Sequence, residues 1–196
     1  LYKLANLYRI IGRYAEAEPL YKRSLAIDEK SFGPEHPYIA TTLNELGLIY
    51  YNQGQSADAE QHYIRALGIR EKTHGPEHTD LTTILNNLAI LYEKLKRYAE
   101  AEHLYKRALT ISEKELGPEH IDVAQILSNM ALLYKIQQRY ADAEQLYIRA
   151  LEISEKIHGP EHTEVSNFLN DLALLYNIQG RYPEAEPLFK RSLAID

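Results

Sequence analysis

Two sets of side chains in this 196-residue chain have types and spacings that could do chemistry: paired histidines and a row of amides. His74-Gly75-Pro76-Glu77-His78 and His158-Gly159-Pro160-Glu161-His162 place three residues between imidazoles, a spacing found in zinc sites. Zinc needs further ligands, however, and the chain has no cysteine to supply them. Glycine and proline inside each pair also deny the helical geometry that would aim both rings at one ion. His36, His78, His120 and His162 recur at one register. Neighbouring helices lie roughly 8–10 Å apart, so imidazoles of successive repeats cannot share a metal at bond lengths of about 2 Å. These histidines are expected to serve turns and helix caps, with no metal and no cofactor.

The amides suggest recognition instead. Asn44, Asn86, Ser128 and Asn170 share one register, and Glu45, Asn87, Asn129 and Asp171 share the next. Asparagine is a poor helix former and is not apolar, so its recurrence inside a helix needs a separate reason. An amide offers both donor and acceptor, which suits the backbone of an extended peptide lying across the helices. The alternative is that these side chains bond the adjacent helix and set how the repeats stack. Tyr2 and Tyr51 fall on the same side, either as anchors of the kind enriched in binding hot spots or as covers for neighbouring side chains. Nothing supports catalysis. There is no glycine-rich phosphate loop, no nucleophile elbow and no His-Glu-x-x-His, and the carboxylates are spread as solvated helix faces.

What must position these groups is a repeat. Tyr8, Tyr50, Tyr92, Tyr134 and Tyr176 share one register; Ala17, Ala59, Ala101, Ala143 and Ala185 share a second; Gly33, Gly75, Gly117 and Gly159 share a third. The period is 42 residues throughout, without insertion or deletion. Self-similarity at a fixed period of this size predicts a solenoid whose units bury their apolar faces only against neighbours. The expected array runs over 1–196, with units at about 37–78, 79–120 and 121–162 and truncated ones at 1–36 and 163–196. Neither end supplies a polar capping unit: Leu1 enters partway through a helix and Asp196 stops before the last helix reaches full length. End-to-end association is therefore expected.

Composition narrows the class. A net charge of -6 gives no basic field for nucleic acid. No apolar run approaches the ~18 residues of a membrane span, so a soluble chain with no membrane partner is expected. The absence of cysteine fits a reducing, cytoplasmic compartment.

Within one unit the pattern predicts helix A over about 79–96, a break at Lys96-Arg97, and helix B over about 98–115. Leu81, Ile84, Leu85, Leu88, Leu91, Tyr92 and Leu95 recur at helical steps, as do Ala101, Leu104, Tyr105, Ala108, Leu109 and Ile111. Gly117 suits a left-handed residue beyond a helix end, and Pro118 stops continuation. Pro183 falls near the start of its helix B; Pro19 and Pro187 sit a turn further in, where proline is less comfortable. Glu18 with Lys22, Glu102 with Lys106, and Glu186 with Lys190 form outward-facing pairs four apart. Thirteen tyrosines are expected to be core: the five of helix A, then Tyr14, Tyr98, Tyr140 and Tyr182 at the start of helix B and Tyr21, Tyr63, Tyr105 and Tyr147 within it.

Leu88-Ala89 and Tyr92, followed by Ala101, Tyr105 and Ala108, have the spacing of the tetratricopeptide repeat. Eight residues more than the usual 34 are accounted for by a longer helix B and the Gly-Pro-Glu-His turn, a form that resembles the repeats of kinesin light chain. Leu85-Asn86-Asn87-Leu88-Ala89-Ile90-Leu91-Tyr92 and Arg13-Tyr14-Ala15-Glu16-Ala17-Glu18-Pro19-Leu20-Tyr21-Lys22-Arg23-Ser24-Leu25 both look like kinesin light chain segments. The resemblance implies an all-α, right-handed superhelical solenoid of antiparallel helix pairs. Its concave helix A groove would bind a protein or peptide partner through Asn44, Tyr51, Asn86, Asn87, Ser128, Asn129 and Asn170. Kinesin light chain grooves prefer acidic peptides containing tryptophan, which needs a basic lining. Here Lys3, Arg9, Lys94 and Lys135 are offset by Glu45, Glu93 and Asp171, so that preference is not expected to carry over. Similar arrays also serve as structural spacers, self-assembly elements or regulatory arms of larger bacterial signalling proteins.

Overall fold

The computed structural model describes residues 1–195; Asp196, to which the last expected unit runs, lies outside the described residues. Ten α-helices and no strand occur among the described residues. In chain order they are α1 (Tyr2–Ile10), α2 (Tyr14–Phe32), α3 (Pro37–Asn52), α4 (Ser56–His74), α5 (Thr82–Lys94), α6 (Tyr98–Leu116), α7 (Ile121–Ile136), α8 (Tyr140–His158), α9 (Thr163–Ile178) and α10 (Tyr182–Ile195). Odd-numbered helices are helix A and even-numbered ones helix B. The chain forms two compact units, Leu1–Leu104 and Tyr105–Asp196; α6 begins in the first and ends in the second. In the first, α1 packs on α2 and α3 on α4, and the pairs join through α2 on α3 and α4 on α5. In the second, α7 packs on α8 and α9 on α10, and the pairs join through α8 on α9.

The sequence accounts for each break. Helix A ends in a Schellman turn: the Arg13 N–H reaches back to the Tyr8 carbonyl at 2.8 Å and the Gly12 N–H to that of Arg9 at 3.0 Å. This turn needs a left-handed residue, supplied by Gly12, Gly54 and Gly180, and by Lys96 and Gln138 at φ 60° and 61°. A side chain held there costs roughly 1–2 kcal/mol, which the surrounding packing must offset. The glycine after helix B behaves differently from expectation. Gly33, Gly75 and Gly159 combine φ near 90° with ψ of 160°, 165° and 158°, an extended mirror conformation rather than the left-handed helical one. The cause is the following proline, whose ring excludes helical ψ from the residue before it. Helix A then restarts under a histidine cap, except that residues 79–81 form a 3-10 turn before α5. There the Thr82 hydroxyl donates to the Thr79 carbonyl at 2.8 Å, three residues back. Pro19 and Pro187 are carried inside α2 and α10 without ending either helix.

Two of the three tyrosine ladders are core except at Tyr8, which is only half-buried. Tyr21, Tyr63, Tyr105 and Tyr147 are fully buried, and Tyr50, Tyr92, Tyr134 and Tyr176 nearly so. The third expectation fails: Tyr14, Tyr98 and Tyr140 are half-buried and Tyr182 is 63% exposed. Each is the first residue of its helix B, where the chain leaves a turn and has neighbours on one side only.

Neighbouring pairs are also stitched by repeated polar contacts. Glu60 accepts from the Tyr92 hydroxyl at 2.9 Å and from Arg97 at 2.7 Å; Glu144 does the same with Tyr176 at 2.9 Å and Arg181 at 2.6 Å. In each case the guanidinium also lies over the tyrosine ring, at 3.8 Å and 4.1 Å. Glu18 pairs with Lys22 at 2.6 Å as expected, yet it is not purely outward, since it also accepts from Tyr50 and Gln53 of α3 and its following turn. Arg65 to Glu29, Arg149 to Glu113 and Arg191 to Glu155 join successive helices B. Partly exposed pairs of this kind each contribute about 0–1 kcal/mol, so the array rests mainly on its apolar core.

Candidate functional site

The histidines go where helix starts need an acceptor. Nδ1 of His36, His78, His120 and His162 accepts the backbone N–H two residues on, from Tyr38, Asp80, Asp122 and Glu164, at 3.1–3.3 Å. Each is the N-cap of the next helix, a role usually filled by Ser, Thr, Asp or Asn. The Gly-Pro segments are not helical, as expected, yet the paired rings still meet. His74 and His78 stack at 4.8 Å between centroids, and His158 and His162 at 4.7 Å. The Gly-Pro turn folds the chain back on itself instead of separating its ends, and Phe32 stacks on His36 in the same way. Asp80 joins the first pair, so that one ligand atom from each of His74, His78 and Asp80 lies within 4.8 Å of the others. Two of the three groups are already committed. His78 Nδ1 holds the cap, and Asp80 Oδ2 accepts from Arg70 at 3.1 Å. A divalent cation here would have to displace a guanidinium beside a helix start, where the backbone N–H groups already disfavour positive charge. Replacing His78 by Ala is therefore expected to cost about 0.5–2 kcal/mol through loss of the cap. Metal analysis of the purified chain is expected to find no zinc before or after; stoichiometric zinc lost in the variant would overturn the capping role.

The amide row runs along the helices A, and the structure separates its members. In the first unit Asn44 is buried and its Oδ1 accepts from Asn87 Nδ2 at 3.0 Å, bridging α3 and α5. In the second, buried Ser128 donates to Asp171 Oδ2 at 2.8 Å, bridging α7 and α9. Stacking, one of the two uses open to the row, is thus realised at these two pairs. Asn86, Asn87, Asn129 and Asn170 remain half-exposed, and Gln125 donates to Asn129 at 3.4 Å. Tyr51 is half-exposed beneath Lys94, whose ammonium sits 4.4 Å from the ring centroid and donates to the Tyr51 carbonyl at 3.2 Å. Burial, then the charge of Glu93, raises the Tyr51 phenol pKa. Tyr2 packs edge-on against Tyr21 at 5.3 Å, which places it partly in the core.

Glu45 and Asp171, two of the three carboxylates expected on the lining, are held by neighbouring helices. Arg9 and Glu45 meet at 2.7 Å, with Asn6 accepting a second bond from the guanidinium at 2.9 Å. Burial pushes the Glu45 carboxyl pKa upward, while Arg9 and the Asn44 amide pull it down. Burial likewise raises that of Asp171, opposed by the Ser128 hydroxyl and by Lys135.

One feature of the face is missed by sequence periodicity. Leu132 and Ile136 of α7, and Leu174 and Ile178 of α9, are 38–55% exposed although all four are large aliphatics. They continue the amide row at four-residue steps, from Ser128 to Leu132 to Ile136 and from Asn170 to Leu174 to Ile178. The signal was present as apolar residues lying off the Leu-Leu-Tyr core stripe, but an apolar residue in an amphipathic helix reads as core by default.

Comparison with known proteins agrees with this architecture. No curated protein sequence matches the chain. Among solved structures, the crystal structure of BtubC (BKLC) from P. vanneervenii superposes with a TM-score of 0.85 at 26% identity, covering 98% of this chain and 76% of that one. The crystal structure of a putative kinesin light chain from Podosopora anserina, with nearly identical TPR-like repeats, gives 0.81 at 27% identity, covering 99% and 92%. The apo form of RapI shares the fold at 21% identity, with a TM-score of 0.82 and coverage of 99% and 68%. The tetratricopeptide repeat model matches residues 1–72, 38–114, 80–146 and 122–196, end to end along the sequence, and the chain belongs to the tetratricopeptide repeat family.

Proposed function

We propose that the protein is a binding scaffold that holds an extended segment of a protein partner against the amide-bearing face of its helices A. Asn86, Asn87 and Tyr51 would make the contacts in the first unit, and Asn129 and Asn170 in the second. Buried Asn44 and Ser128 orient their neighbours through the bonds to Asn87 and Asp171. The observation that carries this reading is a row of half-exposed amides on regular helices, where propensity argues against asparagine. A neutral hydrogen bond contributes a net ~0.5–1.5 kcal/mol, so a single Asn→Ala should weaken binding about threefold to tenfold. Tyr51→Ala should cost about 2 kcal/mol if the ring is an anchor. The test is Asn86→Ala combined with Asn170→Ala, which spares the Asn87 bond to buried Asn44, measured for melting and for affinity toward a peptide selected on the intact chain. Weaker binding with melting preserved is expected. A large fall in melting temperature would mean that these amides serve stacking alone.

A second reading, association of copies through their terminal helices, is favoured by the exposure of Leu1, Leu4, Leu7 and Ile11 on α1 and its flanks and Leu193 on α10. Glu186 occupies the register of Glu60 and Glu144, and Tyr8 with Arg13 that of their partners, with Arg13 lying 4.7 Å from the Tyr8 ring centroid. Glu186 of one copy would then take the Tyr8 hydroxyl and Arg13 of the next. Concentration-dependent sedimentation is expected, suppressed by Glu186→Arg or Arg13→Glu and restored on mixing the two variants. A single monomeric boundary at high concentration would remove this reading.

A further inference from the structure

We infer that the α3–α4 turn seats an arginine side chain of a protein partner, its guanidinium lying over Tyr50 and spanning the carboxylates of Glu18 and Asp58. The inference goes beyond the groove reading and does not depend on it.

Four other turns between helix A and helix B carry such an occupant in their own sequence. Arg13, Arg97, Arg139 and Arg181 share one register, and each guanidinium lies over the tyrosine five residues before it, at 4.7, 3.8, 3.8 and 4.1 Å from the ring centroid. Arg97 also spans two carboxylates, donating to Glu60 at 2.7 Å and through Nε to Glu100 at 2.7 Å. Arg181 does the same with Glu144 at 2.6 Å and Glu184 at 2.8 Å. A planar fork of five donors can cover a ring and reach two acids at once, whereas the ammonium of lysine is a single point charge.

At the α3–α4 turn this register holds Gln55, yet the rest of the seat is present. Tyr50 supplies the ring, Glu18 has the register of Glu60 and Glu144, and Asp58 has that of Glu100 and Glu184. The backbone matches as well: the Gln55 N–H reaches the Tyr50 carbonyl at 2.8 Å, as the Arg97 N–H reaches that of Tyr92 at 2.8 Å. Asp58 is exposed and makes no ion pair among the described residues.

Two side chains already bond Glu18, and neither closes the seat. Lys22 pairs with it at 2.6 Å and stands 5.6 Å from the Tyr50 centroid. Lys106 has the same register relative to Tyr134, and Arg139 lies over Tyr134 nonetheless. Gln53 donates to Glu18 at 3.2 Å, while its counterpart Gln179 presents its amide oxygen to Arg181 at 3.0 Å. A glutamine here accommodates a guanidinium by turning its amide over.

The test titrates N-acetyl-arginine amide and N-acetyl-lysine amide separately into the isotope-labelled full chain and follows backbone amide chemical shifts. The arginine probe should move the amides of Tyr50, Gln55 and Asp58 with a dissociation constant on the order of 10 mM, as a few charge-assisted contacts give. The lysine probe should bind about fivefold more weakly, and Asp58→Asn should weaken the arginine probe about fivefold. Gln55→Arg should abolish the response, because its own side chain then fills the seat as Arg97 does. Gln55→Ala should keep it, which separates occupation of the seat from disturbance of the turn, and circular dichroism melting checks that each variant folds. An equal response to both probes, shifts spread over the other acidic helix starts, a response that survives in Gln55→Arg, or none at about 0.1 M probe would each overturn the inference.

Discussion

Truncating Tyr63 to Ala is expected to destabilise the first unit by about 3–5 kcal/mol, the range for removing a buried aromatic ring. Tyr63 is 1% exposed and lies against Gly47 of α3, where a β-carbon would come within 2.6 Å of the ring. The corresponding positions in the other helices A are Ala5, Ala89, Ala131 and Ala173. Gly47 therefore lets the ring sit closer to the α3 backbone than an alanine would, and removing the ring leaves a void that glycine cannot fill. Burial also raises the Tyr63 phenol pKa, so the side chain stays neutral through the physiological range and acts as a packing group. Urea denaturation followed by circular dichroism should show a lower midpoint, and Gly47→Leu in the truncated background should recover part of the loss. An unchanged midpoint would show that α3 and α4 are not held together by this contact. Because stability in repeat arrays is roughly a sum of local terms, the variant should also broaden the transition as the first unit unfolds ahead of the second.

The second large effect is expected at the alanine register. Ala17, Ala59, Ala101 and Ala143 are completely buried and Ala185 nearly so, each near the start of a helix B. A side chain limited to one methyl at every repeat marks the place where two helices approach most closely. Ala101→Leu forces three further carbons into that space, and overpacking of this kind typically costs about 1–3 kcal/mol. Leucine is nearly as good a helix former as alanine, so propensity contributes little to the change. A melting temperature equal to that of the parent would mean that position 101 does not lie at the helix contact.

The 42-residue period and the apolar steps within it were enough to place the helix pairs, the break at Lys96-Arg97 and the stop at each Gly-Pro. Backbone sterics and hydrogen-bonding chemistry act locally, over a few residues, and a local code is legible in a sequence. The capping role of His36, His78, His120 and His162 was legible for the same reason. Even there the conformation of the glycine after helix B was decided by its proline neighbour, against the usual habit of glycine at a helix end. Tertiary structure alone decided how far the next helix stands from each face. Helical periodicity names a face without saying what covers it, so Tyr182 and Tyr176 looked equally like core although one is 63% exposed and the other buried. The same limit hid the exposure of Leu132, Ile136, Leu174 and Ile178. The Asn44–Asn87 and Ser128–Asp171 bonds join residues 43 apart, one more than the repeat. Which register partners which across two helices is settled by packing between repeats, which no single repeat contains.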